Sequence, residues 1–339
     1  MGSRLKIFLF RRVLLLLPIL LGVLLVTFLL VRIGDQDPVG LLAGPTATAD
    51  QIAEIRAELG LDRPVLEQFL IYVGKVAEGD LGNSWLNGRP VLQDLVSRIP
   101  VTLELLFWGV GLAIFLGVPV GLLAAFRPNG PFDQASRIIS LLGFSIPTYW
   151  LGLIMIFVFF FLMGWAPPPM GRISLLINAP PHVTGSYLID SLLVFDGEAF
   201  RSAATQLVLP VLCITIVAAA PLVKQTRAIA LDVLSSDYLR YARASGLSST
   251  QVRRVVLHNS LVPLITFIGT ELTGLVGTSS LIELVFAWGG AGQYGLSAIL
   301  ENDFTAVQGY VLFVALFSLL VFMVVDLLVI ILEPRENAA

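Results

Sequence analysis

Six long apolar runs limit what this chain can fold into. They are Val13–Val31, Val101–Phe126, Ile138–Trp165, Leu207–Val223, Leu261–Phe286 and Val307–Leu332. A helix needs roughly 20 apolar residues to cross a hydrocarbon core about 30 Å thick, and each run approaches or exceeds that length. Charged residues make up 13 % of the 339 positions, against about 25 % in soluble domains. The sequence therefore predicts an all-α integral membrane protein with six transmembrane helices.

Lysine and arginine are unevenly distributed among the segments that join these runs. One set of segments holds 13 of the 21 lysines and arginines, at about three times the density of the other set. Cytoplasmic loops of membrane proteins retain such positive charge, so we expect the richer set, which includes both termini, to be cytoplasmic. The richer set is 1–12, 127–137, 224–260 and 333–339; the poorer set is 32–100, 164–206 and 287–306.

This orientation predicts three parts of the chain. Residues 1–31 are the N-terminus and the first transmembrane helix, which is too long for a signal peptide, whose apolar core is roughly 7–15 residues. Residues 32–100 are an extracytoplasmic loop with short helices, predicted at Ala49–Leu59 and Pro64–Val76 from their periodicity and flanking residues. Residues 101–339 are a five-helix core that carries the cytoplasmic loop 224–260. The outside segment 164–206 is rich in proline and glycine, which predicts an irregular loop.

Residues that carry catalytic or metal chemistry are sparse. Cys213 is the only cysteine, and His182 and His258 are far apart in the sequence without a nearby cluster of carboxylates. We therefore expect no metal site, no bound cofactor, no nucleic-acid partner and no enzymatic activity in this chain. No G-x-x-x-x-G-K-[ST] motif is present, because Gly74-Lys75 is followed by valine, so any ATP-driven motor is expected on another polypeptide.

The most informative segment follows the fourth apolar run. Residues 237–263 predict two short helices joined by a tight turn, with Ser235, Ser236 or Asp237 as the first cap. Gly246 suits the left-handed position that ends the first helix, and Ser248-x-x-Gln251 is typical of a capping box. Its four arginines are expected to face water. A basic loop that contacts anionic lipid is the alternative interpretation.

The segment Asp237–Leu247 resembles the cytoplasmic loop of permease subunits in binding-protein-dependent ABC importers. It matches the pattern Asp-Tyr-x-Arg-x-Ala-Arg-Ala-x-Gly-Leu of the dipeptide, oligopeptide and nickel branch, although only Ala242 remains of the general Glu-Ala-Ala. Gly289 departs from that branch, which usually has proline after Phe-Ala-Trp, and this departure bears on the shape of the loop before the last run. Further collinear matches include 79–84, 100–104, 145–152, 164–165, 285–288, 307–309 and 326–328.

The resemblance implies a type I ABC importer permease in a bacterial inner membrane. The implied partners are a second homologous permease, two ATPase subunits, an extracytoplasmic solute-binding protein and membrane lipid. The implied cargo is peptides or peptide-like solutes; nickel chelates or sugars, and an ion-coupled secondary transporter, are the alternatives. The loop would dock on an ATPase subunit through Asp237, Tyr238, Arg240, Ala242, Arg243, Ala244, Gly246, Leu247 and Pro263.

Four acidic residues fall within or beside the apolar runs. Such residues are costly in lipid and usually face a bundle interior or a watery cavity. Glu104 and Glu283 are expected at the outer interface, and Asp326 is expected to pair with a cytoplasmic arginine. Glu271 lies deepest; it is predicted either to line the pathway, where it would meet the amino end of a peptide, or to bond to a neighbouring helix.

Overall fold

The computed structural model describes residues 2–33, 48–58 and 62–332, and its regular structure is helical. The helices are α1 (Gly2–Ile33), α2 (Ala49–Glu58), α3 (Val65–Ala77), α4 (Val91–Phe126), α5 (Pro131–Ser145), α6 (Thr148–Met155) with the π-helical segment Ile156–Leu162, α7 (Tyr187–Leu193), α8 (Gly197–Ser235), α9 (Asp237–Ala244), α10 (Ser249–Val285), α11 (Ala291–Leu300) and α12 (Phe304–Leu332). Position 59, where the first of the predicted short helices ends, and the tail 333–339 lie outside the described residues.

Four of these helices are long and apolar enough to cross a membrane: α4, α8, α10 and α12. The pair formed by α5 and Thr148–Leu162 passes the same test only when its two parts are taken together. The described apolar part of α1, Leu14–Leu30, is shorter. The fold is thus that of an all-α membrane protein, with four or five spans by length and composition, and the number six stays a prediction.

The third apolar run, Ile138–Trp165, is not one straight helix, because it is broken at Pro147. Its two halves meet at 99°. Pro147 lacks an N–H and its ring crowds the preceding residue, so Ile146 takes an extended conformation with φ −83° and ψ 123°. The proline then begins α6, where its missing donor is not needed.

The loop 164–206 is more regular than its prolines and glycines predict. Ser186 caps α7 by accepting a hydrogen bond from the Ile189 N–H, and Asp196 caps α8 in the same way through Ala199. Because α8 begins at Gly197, the fourth apolar run is only the middle part of a 39-residue helix. The prediction of an irregular loop was therefore wrong for α7 and for the first turns of α8.

Glycines bring pairs of long helices into close contact. A Cβ built on Gly109 of α4 would lie 2.4 Å from the Ile214 side chain of α8, and one on Gly121 would lie 2.7 Å from the Val223 carbonyl oxygen. Gly269 of α10 meets Val325 of α12 in the same way, with its built Cβ 2.4 Å from the valine. Side chains larger than hydrogen would force these helices apart.

The contacts divide the chain into two compact units. One contains Met1–Ile99 and Tyr294–Leu319, and the other contains Pro100–Gln293 and Leu320–Ala339. In the first unit, Phe28 of α1 packs edge-on against Phe69 of α3, with ring centroids 5.3 Å apart. In the same unit, the Ser84 hydroxyl donates to the buried carboxylate of Asp303. The second unit holds every residue of the candidate site described below.

Candidate functional site

Helix α9 is fixed to the second unit by a single buried side chain. Leu239 is fully buried and packs in a cluster with Ala125 of α4, Ala230 of α8, and Val252 and Val256 of α10. The remaining side chains of α9 are exposed or half-buried, and Tyr241 is 75 % exposed. The helix thus presents an aromatic, basic and small-residue surface from a firmly anchored position.

The turn after α9 confirms the predicted role of Gly246 in the backbone. Gly246 has φ +92°, the left-handed region in which a Cβ is strained. Its N–H donates to the Arg243 carbonyl at 3.0 Å, and the Leu247 N–H donates to the Ala242 carbonyl at 3.2 Å. These two bonds form a Schellman motif, which satisfies carbonyls that the helix end leaves open.

The second helix of the predicted pair is not short. Its capping box is present, because the Ser248 hydroxyl accepts from the Gln251 N–H and the Gln251 side chain accepts from the Ser248 N–H. From there α10 continues through Pro263 to Val285 as one helix of 37 residues. The prediction of two short helices is therefore correct for α9 and wrong for its partner, which is the first part of a span.

The structure places the predicted docking residues as follows. Exposed residues are Asp237, Tyr238, Arg240, Arg243, Ala244, Gly246 and Pro263, and half-buried residues are Ala242 and Leu247. Arg253 and Arg254 are also exposed, as expected of all four arginines in the segment. Leu247 packs against the Leu239 cluster, and Pro263 lies inside α10, away from α9 in the sequence. The docking role of these residues stays a prediction.

A groove of about 510 Å³ runs beside α9. Its walls include Phe126, Leu234 and Leu247, and Arg243 and Arg253 stand at its edge. The Arg253 guanidinium carbon lies 5.6 Å from the centroid of the Phe126 ring, within the range of a cation–π contact. The surface around α9 therefore offers an apolar depression bordered by positive charge.

An ion pair that the sequence did not indicate joins α5 to α8. The Arg227 Nη2 lies 2.8 Å from the Asp133 Oδ2, and the Arg227 Nε donates to the other carboxylate oxygen. The Asp133 side chain is fully buried and Arg227 is one-fifth exposed. The two residues are 94 positions apart, and a single sequence carries no signal that pairs them.

Glu271 lies where two cavities of the second unit meet. One cavity of about 260 Å³ and another of about 820 Å³ share the side chains of Phe144, Pro221 and Glu271. The side chain of Glu271 is half-buried, and no hydrogen bond or ion pair joins it to another residue in the described part of the chain. Which of its two predicted roles Glu271 has, lining the pathway or bonding to a neighbouring helix, stays a prediction.

Glu104 is buried in an ion pair that the sequence did not indicate, and its expected place at the outer interface stays a prediction. Arg172 Nη2 lies 2.7 Å from its Oε2, and the Ser186 hydroxyl donates to its other oxygen. The same Arg172 nitrogen donates to the Gly185 carbonyl at 2.6 Å, and its guanidinium lies 3.9 Å from the centroid of the Tyr187 ring. Glu104 thus fastens the start of α7 to α4.

Glu283 is fully buried and holds the segment after α10, and its expected place at the outer interface stays a prediction. The Thr102 hydroxyl donates to its Oε1 at 2.7 Å, and the Gln293 N–H donates to its Oε2 at 2.8 Å. Gly289 has φ +78° and donates its N–H to the Gln293 Oε1 at 2.8 Å. Proline can adopt neither that φ nor that hydrogen bond, so glycine suits this loop.

Asp190 of α7 accepts several hydrogen bonds from the loop that precedes it. Burial by itself raises the pKa of this carboxyl, but hydrogen bonds from the Thr184 N–H and hydroxyl, and from the Val183 and Gly185 N–H groups, outweigh that effect. The pKa of Asp190 therefore lies below its ordinary value. The carboxylate stays charged at neutral pH and holds residues 183–185 in place.

Comparison with known proteins agrees with this architecture. Residues 117–337 match the family described as the inner membrane component of binding-protein-dependent transport systems, and residues 5–106 match its N-terminal family. The chain is 41 % identical over 315 residues to a probable D,D-dipeptide transport system permease of Escherichia coli K12, which covers 93 % of this chain and 92 % of that protein. It is 38 % identical over 330 residues to a di/tripeptide transport system permease of Pseudomonas aeruginosa UCBPP-PA14, which covers 97 % and 98 %.

The described part of the chain is a helical membrane protein with cavities lined by α5, α8 and α10. The chain belongs to the family of inner membrane components of binding-protein-dependent transport systems. Membership implies that it works with a solute-binding protein and with ATPase partners rather than as an enzyme itself. It also excludes the ion-coupled secondary transporter.

Proposed function

We propose that this chain forms part of the pathway of an ATP-driven importer for short peptides. The peptide cargo is supported by the names of the relatives, which include D,D-dipeptide, di/tripeptide and dipeptide transport permeases at 35–41 % identity. The complete assembly contains this chain, a second homologous permease, two ATPase subunits and a solute-binding protein. The chain binds no cofactor, and both of its termini and α9 face the cytoplasm, in agreement with the positive charge of those segments.

The observation that carries the proposal is the way in which α9 packs against its neighbouring helices. Leu239 anchors the helix on α4, α8 and α10, while Tyr238, Tyr241 and the small side chains of Ala242 and Ala244 are left on or near the surface. A rigid element with small side chains allows the close approach of a partner, and a firm anchor passes its displacement to the attached helices. Helices α8 and α10 also line the cavities around Glu271.

The test is a bulky substitution on α9, compared with the same substitution elsewhere. Ala242→Trp should leave the chain inserted but reduce co-purifying ATPase, or the ATPase activity stimulated by the loaded binding protein, at least tenfold. The matched control is Ala77→Trp at the exposed end of α3, which should change neither. Normal ATPase recovery, normal stimulation and normal uptake in Ala242→Trp would show that α9 is a lipid-facing linker.

A separate measurement addresses the cargo. Cells that lack this chain should fail to grow when defined dipeptides or tripeptides supply a required amino acid, and should grow on the free amino acid. Restoring the wild-type chain should restore growth on the peptides. Unchanged growth of the deletion strain on every peptide, in a strain without another peptide importer, would contradict the peptide assignment.

A further inference from the structure

The larger cavity around Glu271 carries opposite charges at different positions. Glu271 of α10 lies where it meets the smaller cavity, while Arg137 of α5 and Lys224 of α8 line it elsewhere. Arg227 lines it as well, but its charge is matched by the carboxylate of Asp133. The lining therefore presents the Glu271 carboxylate and two further cations, of which Arg137 also lies within electrostatic reach of the buried Asp133.

The two kinds of charge differ in the cavities that they line. Pro221 lines both cavities together with Glu271, and Lys224 comes one helical turn later on α8 and lines only the larger cavity. The carboxylate and the two cations therefore line different parts of the larger cavity.

We propose that this cavity recognises the two charged ends of a short peptide: Glu271 binds the α-ammonium group, and Lys224 with Arg137 binds the α-carboxylate. The proposal rests on the proposed function and adds a substrate class to it, namely free-ended, zwitterionic peptides. The rest of the larger cavity is formed largely by apolar side chains, among them Phe144, Leu141 and Phe267. Such walls accept varied peptide side chains while the ends are held.

Electrostatics explains why each charged end of the peptide needs a partner of opposite charge. A charged group that leaves water for an apolar passage loses several kcal/mol of hydration unless an opposite charge or a hydrogen bond compensates. Both ends of every free peptide carry such a charge, whatever the side chains. Fixed partners for the two ends would therefore lower the barrier for all short peptides and leave it high for peptides with blocked ends.

The experiment uses the complete importer in liposomes, with its binding protein saturated in turn by a free-ended dipeptide, the N-acetylated form and the C-amidated form. Loading of the binding protein is measured separately for each peptide, and uptake per complex is compared only at equal loading. The variants are Glu271→Gln and the double variant Lys224→Gln with Arg137→Gln. The matched controls are Glu198→Gln and Lys75→Gln, which are exposed and line neither cavity.

The expected result is a selective change for each end. Glu271→Gln should lower uptake of the free-ended peptide about tenfold, the effect of one lost charge-assisted bond, and should abolish the preference over the acetylated form. The double variant should abolish the preference over the amide and keep the preference over the acetylated form. An equal loss for all three peptides, or unchanged preferences in both variants, would overturn the proposal.

A second measurement covers blocked peptides that do not load the binding protein. A photoreactive residue at position 144, which lines both cavities, should cross-link a radiolabelled free-ended dipeptide during ATP turnover. The yield per transported peptide should fall at least fivefold in Glu271→Gln, and an undiminished yield would contradict the site. A wild-type complex that transports none of the peptides would instead contradict the proposed function.

Discussion

The carboxylate of Asp133 and the guanidinium of Arg227 form a two-point ion pair, with Nη2 and Oδ2 2.8 Å apart, that fastens α5 to α8. Asp133 also accepts from the Asn129 N–H at 2.8 Å, so the turn before α5 depends on the same carboxylate. The pair holds α5 against the helix that leads into α9. Loss of the pair would release α5, which also lines the larger cavity.

Removal of this carboxylate should destabilise the protein. Asp133→Asn leaves the largely buried Arg227 without its counter-charge, which costs about 3 kcal/mol in comparable pairs. Thermal unfolding of the purified protein in detergent should show a clearly lower midpoint. The matched control is Asp237→Asn, because Asp237 pairs with Arg240 on the surface, where both side chains are more than three-quarters exposed and the pair contributes little. Equal midpoints for the two variants would contradict a structural role for the Asp133 pair.

The orientation of the chain can be measured with two new cysteines. Asn83 and Ser248 are exposed, and Cys213 is buried and can be replaced by serine. In the Cys213→Ser background, an impermeant thiol reagent should label a cysteine at position 83 from outside intact cells. A cysteine at position 248 should react only after the membrane is opened. Labelling of both from the same side would contradict both the orientation and the six-span count.

The turn at Gly246 should tolerate no β-branched residue. No atom lies within 4 Å of a Cβ built there, so the penalty comes from the left-handed backbone alone and is about 1 kcal/mol or more. Gly246→Val should therefore weaken ATPase co-purification while the chain stays inserted. Gly88→Val is the control, since Gly88 also has positive φ, at +68°, and open space, but lies before α4. If both variants lose the ATPase equally, general instability is the cause.

Replacement of the buried Glu283 carboxylate by its amide should destabilise the protein. Glu283→Gln puts an NH₂ group where Thr102 and the Gln293 N–H both donate, so one donor is left without an acceptor. A buried donor in that state costs about 1–3 kcal/mol, and the midpoint of thermal unfolding should fall accordingly. The exposed Glu198→Gln has no such partners to lose and should leave the midpoint unchanged. An unchanged midpoint in Glu283→Gln would show that Glu283 does not hold this loop.

Acid should loosen the loop held by Asp190. Because the pKa of Asp190 is below its ordinary value in the folded protein, its contribution to stability is complete above an unfolded-state pKa of about 3.9. That contribution is lost as the pH falls through the lower, folded-state pKa. Hydrogen exchange of residues 183–186 should therefore be slow at pH 6 and, after correction for the intrinsic rate, faster below pH 4. Asp190→Asn should show the faster exchange at both pH values.

Much of the helical fold followed from the apolar runs, and much of the site did not. Length and composition indicate long spanning helices, and the turn at Gly246 was predictable because its backbone requirement is local. The interruption at Pro147 could be predicted from the sequence, but the size of the bend could not, because a proline can kink a span or break it and only packing decides which. The pairs Glu104–Arg172 and Asp133–Arg227 join residues far apart in the chain, so no local pattern could reveal them. The continuation of α10 was missed because the turn at Gly246 and the capping box at Ser248 show where a helix begins but not how far it runs.

The unbroken course of α10 has a mechanical consequence. From Ser249, next to the α9 turn, to Glu271 the helix rises about 33 Å at 1.5 Å per residue. A helix of that length acts as a lever: a tilt of about 5° that pivots at Ser249 carries the Glu271 backbone sideways by about 3 Å. Pro263 lies between those two points and has no N–H to donate, so one hydrogen bond of the helix is missing there and the helix bends more easily. Under the proposed function, a small displacement of α9 would therefore shift the cavity wall around Glu271.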